Sequence, residues 1–270
     1  MTDHLPSLRE TLDAHGLSAK KSFGQHFLLD LNVTRKIVRY AGPFDGRAVI
    51  EVGPGPGGLT RALLESDAGK VVLVEKDPRF IPLLSELDDG SGRLTIVEAD
   101  ALKVKEAELV EGPAHLVSNL PYNVGTPLLI KWLTGPWSPC ALTLMFQKEV
   151  AERVVAQPGE DAYGRLAVIS QAVAEARIVM HLPAAAFTPS PKVASAVVHL
   201  VPLAERPVPD RLKRLERVTA AAFGQRRKML RSSLKQLGGA ALCEAAGIEP
   251  DARAETIDVA GFLRLADALT

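Results

Sequence analysis

Four consecutive residues, Asn119-Leu120-Pro121-Tyr122, carry groups that could activate an aromatic amine. The lone pair of such an amine is delocalised into its ring, so the nitrogen is a poor nucleophile. Carbonyl oxygens of the Asn119 side chain and the Leu120 backbone could accept both amine hydrogens and favour a tetrahedral nitrogen. Pro121 lacks an N–H and biases Leu120 toward an extended conformation, and Tyr122 offers a ring face for a base. The tetrapeptide predicts methylation of an amine such as that of adenine, although Asn-x-Pro turns are also common without this role.

A glycine-rich loop, EVGPGPGGLT (51–60), precedes the tetrapeptide. It follows an apolar run and begins a helical pattern, and glycines such as Gly53 and Gly55 would let the backbone approach a ligand. Glu75 follows at a spacing of about twenty residues, where a carboxylate can accept hydrogen bonds from ribose hydroxyls. The loop alone suits a nicotinamide dehydrogenase and an S-adenosylmethionine enzyme equally, or is a tight turn that binds nothing.

Asp100 favours S-adenosylmethionine. It ends a third apolar run, in EADAL (98–102), where its carboxylate could accept a hydrogen bond from the amino group of a bound adenine. A dinucleotide site has less need of a second carboxylate there. The alternative is that Asp100 only caps the segment that follows it.

The proline-bearing loop FTPSPKV (187–193) supplies a candidate second ring. A base inside folded RNA must leave its stack to reach a pocket, and a ring on its opposite face would hold it. Phe187 could supply that ring, and Lys192 could meet a phosphate. The alternative is that Phe187 belongs to the hydrophobic core.

The elements that must position these residues follow from the order of apolar runs. Helical patterns cover Leu5–His15 and Leu31–Ala41, and five short apolar runs then alternate with further helical segments, which predicts a parallel sheet covered on both faces. The runs are AVIEV (48–52), VVLVEKD (71–77), LTIVEAD (94–100), HLVSNLPY (115–122) and ALTLMF (141–146). Two later β-branched runs, 176–182 and 195–203, predict an antiparallel pair at the sheet edge.

The remainder of the chain is predicted to be helical. The expected helices are Arg211–Phe223, Lys228–Leu237, Ala240–Ala246 and Ala260–Leu269, with Gln225-Arg226-Arg227-Lys228 opening the second of them. We therefore expect two domains, residues 1–204 and residues 205–270.

The net charge is zero, but its distribution is uneven. Residues 206–235 carry ten basic and two acidic residues, and residues 236–270 carry two basic and six acidic ones. A localised basic stretch in a neutral chain indicates contact with a polyanion. A solvated helix face is the alternative.

Other classes of protein are disfavoured by composition. No apolar stretch approaches the length of a membrane helix, and MTDHLPSLRE lacks the order of a signal peptide. The two cysteines, Cys140 and Cys243, have no metal-ligand spacing. We expect a cytoplasmic protein without membrane association or a metal.

Seven segments together resemble one family over nearly the whole chain, the KsgA-type (RsmA) small-subunit ribosomal RNA adenine N6,N6-dimethyltransferases. The segments are KKSFGQHFLLD (20–30), EVGPGPGGLT (51–60), VEKD (74–77), EADAL (98–102), NLPY (119–122), FTPSPKVASAV (187–197) and AFGQRRKMLRSSL (222–234). The resemblance implies an α/β fold, with a Rossmann-like class I methyltransferase sheet, mostly parallel with an antiparallel edge strand, and a small C-terminal all-helical domain. It also implies dimethylation of two adjacent adenosines near the 3′ end of small-subunit rRNA, with S-adenosylmethionine as cofactor and the immature small ribosomal subunit as partner of a monomer.

Site residues carried over from the family occupy matching positions. By resemblance, the family's cofactor site corresponds to His26, Leu28, Gly53, Gly55, Glu75, Asp100 and Asn119. The target base would lie at Asn119, Leu120, Pro121 and Tyr122 with Phe187. The residues that would contact RNA are Lys192, Arg226, Arg227, Lys228 and Arg231. Three positions depart from the pattern. His26 replaces the usual asparagine, and Ser190 and Ala194 replace a more usual proline and aspartate.

Three other functions remain open. A large-subunit adenine methyltransferase of the antibiotic-resistance type shares the glycine loop and a similar tetrapeptide, although FGQRRKMLRSSL favours the small-subunit reading. A nucleic-acid-binding assembly factor could keep the fold without depending on catalysis. A dehydrogenase would share only the glycine loop and Glu75.

Overall fold

The computed structural model describes residues 5–19, 25–225 and 227–269, which form two compact units. The first unit comprises Met1–Trp132, Trp137–Ala151 and Arg177–Val201, and the second comprises Leu133–Pro136, Glu152–Ala176 and Pro202–Thr270. The sequence predicts a single boundary, after residue 204. The structure differs in that residues 133–136 and 152–176 group with the C-terminal helices.

The elements alternate between strand and helix over most of the chain. In chain order they are α1 (Leu8–Ala14), β1 (Phe27–Leu28), α2 (Leu31–Ala41), β2 (Ala48–Val52), α3 (Gly58–Leu64), β3 (Lys70–Glu75), α4 (Ile81–Ser85), β4 (Leu94–Glu98), β5 (His115–Asn119), α5 (Gly125–Thr134), β6 (Ala141–Gln147), α6 (Lys148–Val155), α7 (Arg165–Gln171), β7 (Ala174–Leu182), β8 (Phe187–Thr188), β9 (Ser195–Pro202), α8 (Pro209–Phe223), α9 (Leu230–Ser233), α10 (Gly239–Ala245) and α11 (Val259–Ala268).

A seven-stranded sheet has the order β4-β3-β2-β5-β6-β9-β7. The five strands from β4 to β6 are parallel, as predicted, with Val52 beside Val74 and Ile50 beside Leu116. Side chains that point to opposite faces, such as Val49 and Ile50, are both fully buried. Such continuous apolar strands form because helices cover both faces of a parallel sheet.

The two later apolar runs also form strands. β9 is antiparallel to β6, with Leu144 beside Val198, and β7 lies next to β9 at the edge of the sheet. The predicted mostly parallel sheet with antiparallel pairing near one edge is therefore confirmed.

An unpredicted two-stranded sheet joins the N-terminal arm to the proline loop. β1 and β8 are antiparallel, with Phe27 beside Thr188 and Leu28 beside Phe187. Each strand has only two residues, which is too short for a periodic pattern to be detected in the sequence. The pairing places the segment around His26 beside the proline loop.

The N-terminal helix α1 is capped and attached to α3. The Ser7 side chain accepts from the Glu10 amide, and the Glu10 carboxylate accepts from the Ser7 amide, which forms a capping box. Arg61 of α3 is buried and donates to the Pro6 carbonyl oxygen over 2.7 Å and to Thr11 Oγ1 over 3.2 Å. These bonds hold the arm against the helix that follows the glycine loop.

The second unit is largely helical. The predicted helices at 211–223, 240–246 and 260–269 correspond to α8, α10 and α11. The predicted helix over Lys228–Leu237 is confirmed only as a short helix followed by a 3-10 turn at Lys235–Leu237, and the prediction that residues 225–228 open it is wrong. α9 spans only Leu230–Ser233, and Arg227 has a φ of 70°, a left-handed conformation that an α-helix does not contain.

Candidate functional site

A cleft of about 240 Å³ lies at the carboxyl edge of the parallel strands. Ligands of open α/β sheets bind at this edge because the loops after successive strands converge there. Ten residues predicted from the sequence line the cleft: His26, Leu28, Gly53, Gly55, Glu75, Asp100, Asn119, Leu120, Pro121 and Tyr122.

The glycine loop passes close to neighbouring side chains. Gly53 and Gly55 have φ values of 67° and 53°, which residues with a Cβ rarely adopt. A Cβ at Gly55 would lie 3.1 Å from Phe27 Cε1, and one at Gly53 would lie 3.3 Å from Pro121 Cδ. Both positions therefore require glycine for conformation and for space, and the backbone itself forms that wall of the cleft.

Glu75 ends β3 with a buried carboxylate. One oxygen accepts from the Asp77 amide over 2.7 Å, and the other accepts from the Gly55 amide over 3.1 Å. Burial raises the pKa of Glu75, while these amide hydrogen bonds act in the opposite direction. The carboxylate thus fixes the glycine loop and retains lone pairs that could accept from a ligand.

Asp100 follows β4, the strand next to β3, and lines the same cleft as Glu75. Its carboxylate accepts from Lys76 Nζ over 2.8 Å and from the Leu102 amide over 3.0 Å, and these two bonds lower the pKa of Asp100. The bond to Leu102 is the local cap that the alternative interpretation described. Capping and ligand binding are compatible, because a carboxylate has about four acceptor positions.

Asn119, at the end of β5, is oriented by the N-terminal arm. Its amide nitrogen Nδ2 lies 3.1 Å from the His26 carbonyl oxygen. Because that oxygen can only accept, the nitrogen must be the atom that faces it, and Oδ1 is the opposite branch of the amide. The structure therefore presents the Asn119 side-chain carbonyl as an acceptor with a defined orientation.

Tyr122 is held at its hydroxyl and on its ring. The hydroxyl lies 2.6 Å from Oγ of buried Ser195, and the ring stacks on the His26 ring with centroids 5.2 Å apart. Burial raises the pKa of Tyr122, so the phenol is neutral. His26 in turn donates from Nδ1 to the Pro189 carbonyl oxygen over 2.7 Å, which connects the arm, the tetrapeptide and the proline loop.

Residues 16–270 match the family model for ribosomal RNA adenine dimethylase. The chain belongs to this family. A protein named ribosomal RNA small subunit methyltransferase A from Phenylobacterium zucineum is 71% identical over 265 residues, which cover 98% of this chain and 93% of the relative. One of the same name from Caulobacter vibrioides is also 71% identical, over 93% of this chain and 97% of the relative.

Two solved structures share the architecture. A dimethyladenosine transferase from Plasmodium falciparum has a TM-score of 0.73 at 25% identity, and the match covers 89% of this chain and 96% of that one. The 23S rRNA methyltransferase ErmE has a TM-score of 0.68 at 27% identity, over 90% of this chain and 99% of that one. The fold is accordingly that of the class I methyltransferases.

Two predicted site residues in the proline loop, Phe187 and Lys192, do not line the cleft. Phe187 is 3% exposed and packs in the hydrophobic core, as the alternative interpretation had it, and it is not a cleft-lining residue. Its side chain packs in the same core cluster as Leu28, and its role as a stacking ring stays a prediction. Lys192 is exposed and also does not line the cleft.

Sequence reasoning missed Glu51, which is 1% exposed and lines the cleft from β2. Burial raises the pKa of Glu51 to about 8, opposed by a 2.7 Å hydrogen bond from Thr60 Oγ1 and aided by the charge of Glu75. The carboxyl is therefore mostly protonated at neutral pH. The available signal was an acidic residue within an otherwise apolar strand, but the motif there was interpreted from its glycines alone.

The predicted RNA-binding residues of the second unit lie at its surface. Arg227 and Lys228 are exposed and form no ion pair with a described residue, whereas Arg231 Nε lies 2.9 Å from Asp251 Oδ1. Arg226 and the N-terminal residues 20–24 lie outside the described residues. The three placed residues are grouped between α8 and the start of α9.

The described ranges contain no group of three histidine, cysteine or acidic side chains suited to a metal ion. No helix among the described residues is long and apolar enough to cross a membrane.

Proposed function

We propose that this protein transfers methyl groups from S-adenosylmethionine to N6 of two adjacent adenosines near the 3′ end of small-subunit rRNA, two to each base. Its substrate would be the immature small ribosomal subunit in the cytoplasm, and the protein would act as a monomer. The observation that carries the proposal is the orientation of Asn119 in a cleft that also contains Glu75 and Asp100.

The cleft fits the proposed cofactor. Glu75 would accept from the ribose hydroxyls and Asp100 from the adenine amino group, while the backbone at Gly53 and Gly55 would lie against the methionine portion. His26 and Leu28 would complete the wall from the N-terminal arm. S-adenosylmethionine supplies an electrophilic methyl group bonded to a positively charged sulfur.

Activation of the amine would depend on two carbonyl groups. Asn119 Oδ1 and the Leu120 carbonyl oxygen would each accept one amine hydrogen of the target adenine, which frees the nitrogen lone pair. Pro121 and Gly125 keep this segment in place, because the Pro121 carbonyl oxygen accepts from the Gly125 amide and a Cβ at Gly125 would lie 3.2 Å from Phe146 Cδ1. No general base is needed, because the alkylated amine is strongly acidic and loses its proton afterwards.

The target base would stack on Tyr122. Its ring has a fixed plane, because Ser195 holds the hydroxyl and His26 covers one face. Adenine would therefore use the opposite face or displace His26. A neutral hydroxyl paired with Ser195 also keeps a negative charge away from the stacked base.

The choice of RNA rests on different support. The relatives that are 71% identical are named for the small ribosomal subunit, and the exposed cations Arg227 and Lys228 suit phosphate contacts. Arg226, Arg231 and Lys192 are further candidates for phosphate contacts. The likeness to ErmE makes a large-subunit RNA the second candidate.

The decisive experiment is transfer of labelled methyl groups from S-adenosylmethionine to ribosomal subunits from cells that lack the activity. We expect label in small subunits, at two adjacent adenosines, as dimethyladenosine. Label in large subunits would identify the second candidate. Tight binding of small subunits without transfer would indicate an assembly factor, and binding of a nicotinamide cofactor instead of S-adenosylmethionine would indicate a dehydrogenase.

A further inference from the structure

A partly buried lysine, whose side chain is 26% exposed, bonds to the loop that contributes Ala101 and Leu102 to the cleft. Lys131, in the last turns of α5, donates to the carbonyl oxygens of Ala101 and Val104 over 2.8 and 2.5 Å, and to Glu106 Oε1 over 2.6 Å. A lysine ammonium has three N–H donors, and here each has an acceptor. Lys131 therefore bonds to three points of the loop that follows β4.

Glu106 is fixed from a second direction. The indole N–H of Trp132 donates to the same Oε1 over 2.7 Å. Glu106 is 6% exposed and Trp132 is 1% exposed, while the Lys131 side chain is 26% exposed, so water reaches this cluster only from the lysine side. The hydrogen bonds from Lys131 and Trp132 therefore fix the Glu106 carboxylate relative to α5.

The cluster is better suited to positioning than to stabilising the fold. A buried ion pair contributes little net stability relative to apolar side chains of the same size, because both ions lose their hydration. The two carbonyl groups that Lys131 holds bracket Leu102, whose side chain is 42% exposed and lines the cleft beside Asp100. Without Lys131, the segment from Asp100 to Val104 would lose two charge-assisted hydrogen bonds to α5, and Glu106 would lose a third.

We propose that Lys131 is a positioning residue for the cofactor, holding the Asp100–Leu102 segment in the shape that receives the nucleoside end of S-adenosylmethionine. This inference rests on the proposed function for the identity of the cofactor. Glu106 and Trp132 set the position of the ammonium group. Lys131 touches neither the cofactor nor the target base, and its effect passes through the loop.

The test measures cofactor binding by calorimetry on the full chain with Lys131→Met. We expect the dissociation constants of S-adenosylmethionine and of 5′-methylthioadenosine to rise together, by about tenfold, since both ligands carry the nucleoside. The KM for S-adenosylmethionine should rise similarly, with kcat at saturation within about twofold of the wild type. Unchanged binding of both ligands, or loss confined to S-adenosylmethionine, overturns the inference.

Lys105→Met is the matched control. Lys105 lies in the same loop, but its ammonium pairs with exposed Glu108 over 2.9 Å at the surface. The same substitution there should leave both dissociation constants unchanged. An equal loss in both variants would contradict a specific role for Lys131.

A second variant decides the matter if Lys131→Met does not fold. Glu106→Gln keeps the size of the side chain and removes its charge, and we expect weaker binding of both ligands and faster hydrogen exchange at the Leu102 and Lys103 amides. Wild-type binding and exchange rates in that variant would overturn the inference. The two failures are distinguishable. If the wild-type protein binds neither ligand, the proposed function fails, whereas if the wild type binds both and the variants bind equally well, only the role of Lys131 fails.

Discussion

The cleft and the basic segment at residues 225–228 differ in how their polar groups are satisfied. In the cleft, Glu75, Asp100 and Asn119 each bond to another part of their own chain. In the basic segment, Arg227 and Lys228 are exposed and make no ion pair with the described residues. Groups that the protein holds itself have a defined direction, which chemistry requires. Cations without an internal partner can contact the phosphates of another molecule, and each such phosphate contact adds a small amount to the binding affinity.

The largest expected effect comes from Asn119→Ala, which tests the directed part of the comparison. Removing the side-chain carbonyl should lower kcat for methyl transfer by roughly 10²–10³-fold, as loss of a single preorganised hydrogen-bonding partner does elsewhere. Binding of small subunits should change little. Single-turnover transfer and a filter-binding assay measure the two quantities separately.

Asn32→Ala is the control for that prediction, because Asn32 is exposed on α2. Its turnover should match the wild type. Near-normal turnover in Asn119→Ala would refute the carbonyl-acceptor mechanism and leave the orientation of the amide without a role.

A smaller effect is expected from replacing Arg226, Arg227 and Lys228 together with alanine, which tests the undirected part of the comparison. Binding of small subunits should weaken by about tenfold at physiological salt, and the slope of log K against log salt should fall by about 2, as for three lost phosphate contacts. Turnover at saturating substrate should be retained. Titrations at several salt concentrations measure the slope.

Single variants sharpen this result. Lys228→Ala should cost more affinity than Arg231→Ala, because the Arg231 guanidinium is already paired with Asp251. Lys213→Ala, whose ammonium pairs with Asp210, serves as an exposed control. An unchanged salt slope in the triple variant would return the segment to the solvated-face interpretation.

The smallest effect concerns stability and pH, and it tests the cost of burying a carboxyl in the cleft. The pKa of Glu51 is about 8 in the folded protein, against 4.5 for the ordinary side chain. The folded state therefore retains a proton that the unfolded state releases, and this contribution to stability is complete below pH 4.5 and is lost as the pH rises through about 8. Glu51→Gln has no carboxyl to ionise at this position and should not lose this stability. The melting temperature of the variant minus that of the wild type should therefore increase as the pH rises from about 5 to about 9.

Calorimetric melting temperatures across that range provide the measurement. Glu108→Gln, at an exposed surface pair, is the matched control for the loss of a carboxyl group. Parallel curves for Glu51→Gln and the wild type would mean that Glu51 titrates normally.

The centre of the sheet was predictable from the sequence because β2, β3, β5 and β6 are buried on both faces. Runs such as AVIEV and ALTLMF contain the same apolar residues that the structure buries, and the polar residues at their ends mark the edge where the cleft forms. The glycine loop was predictable for a related reason, since left-handed conformations at Gly53 and Gly55 restrict the residue type.

Features that depend on long-range pairing were not predictable in the same way. Phe187 has the same residue type whether it lines a pocket or the core, and its burial depends on contacts with residues far away in the sequence. Lys131 and Glu106 are separated by 25 positions and carry no local signal of a buried pair. The break before α9 depends on the backbone at Arg227, which sequence periodicity does not report.

The attachment of the N-terminal helix has a consequence for trimming the protein. The family match begins at residue 16, but Arg61 inside the matched region finds both of its acceptors, Pro6 and Thr11, before that point. A protein shortened to the family boundary would lose both acceptors of the Arg61 guanidinium and the helix that carries one of them. Helix α1 is thus part of the folding unit that contains the cleft, and the stable unit begins before the residue at which the family match starts.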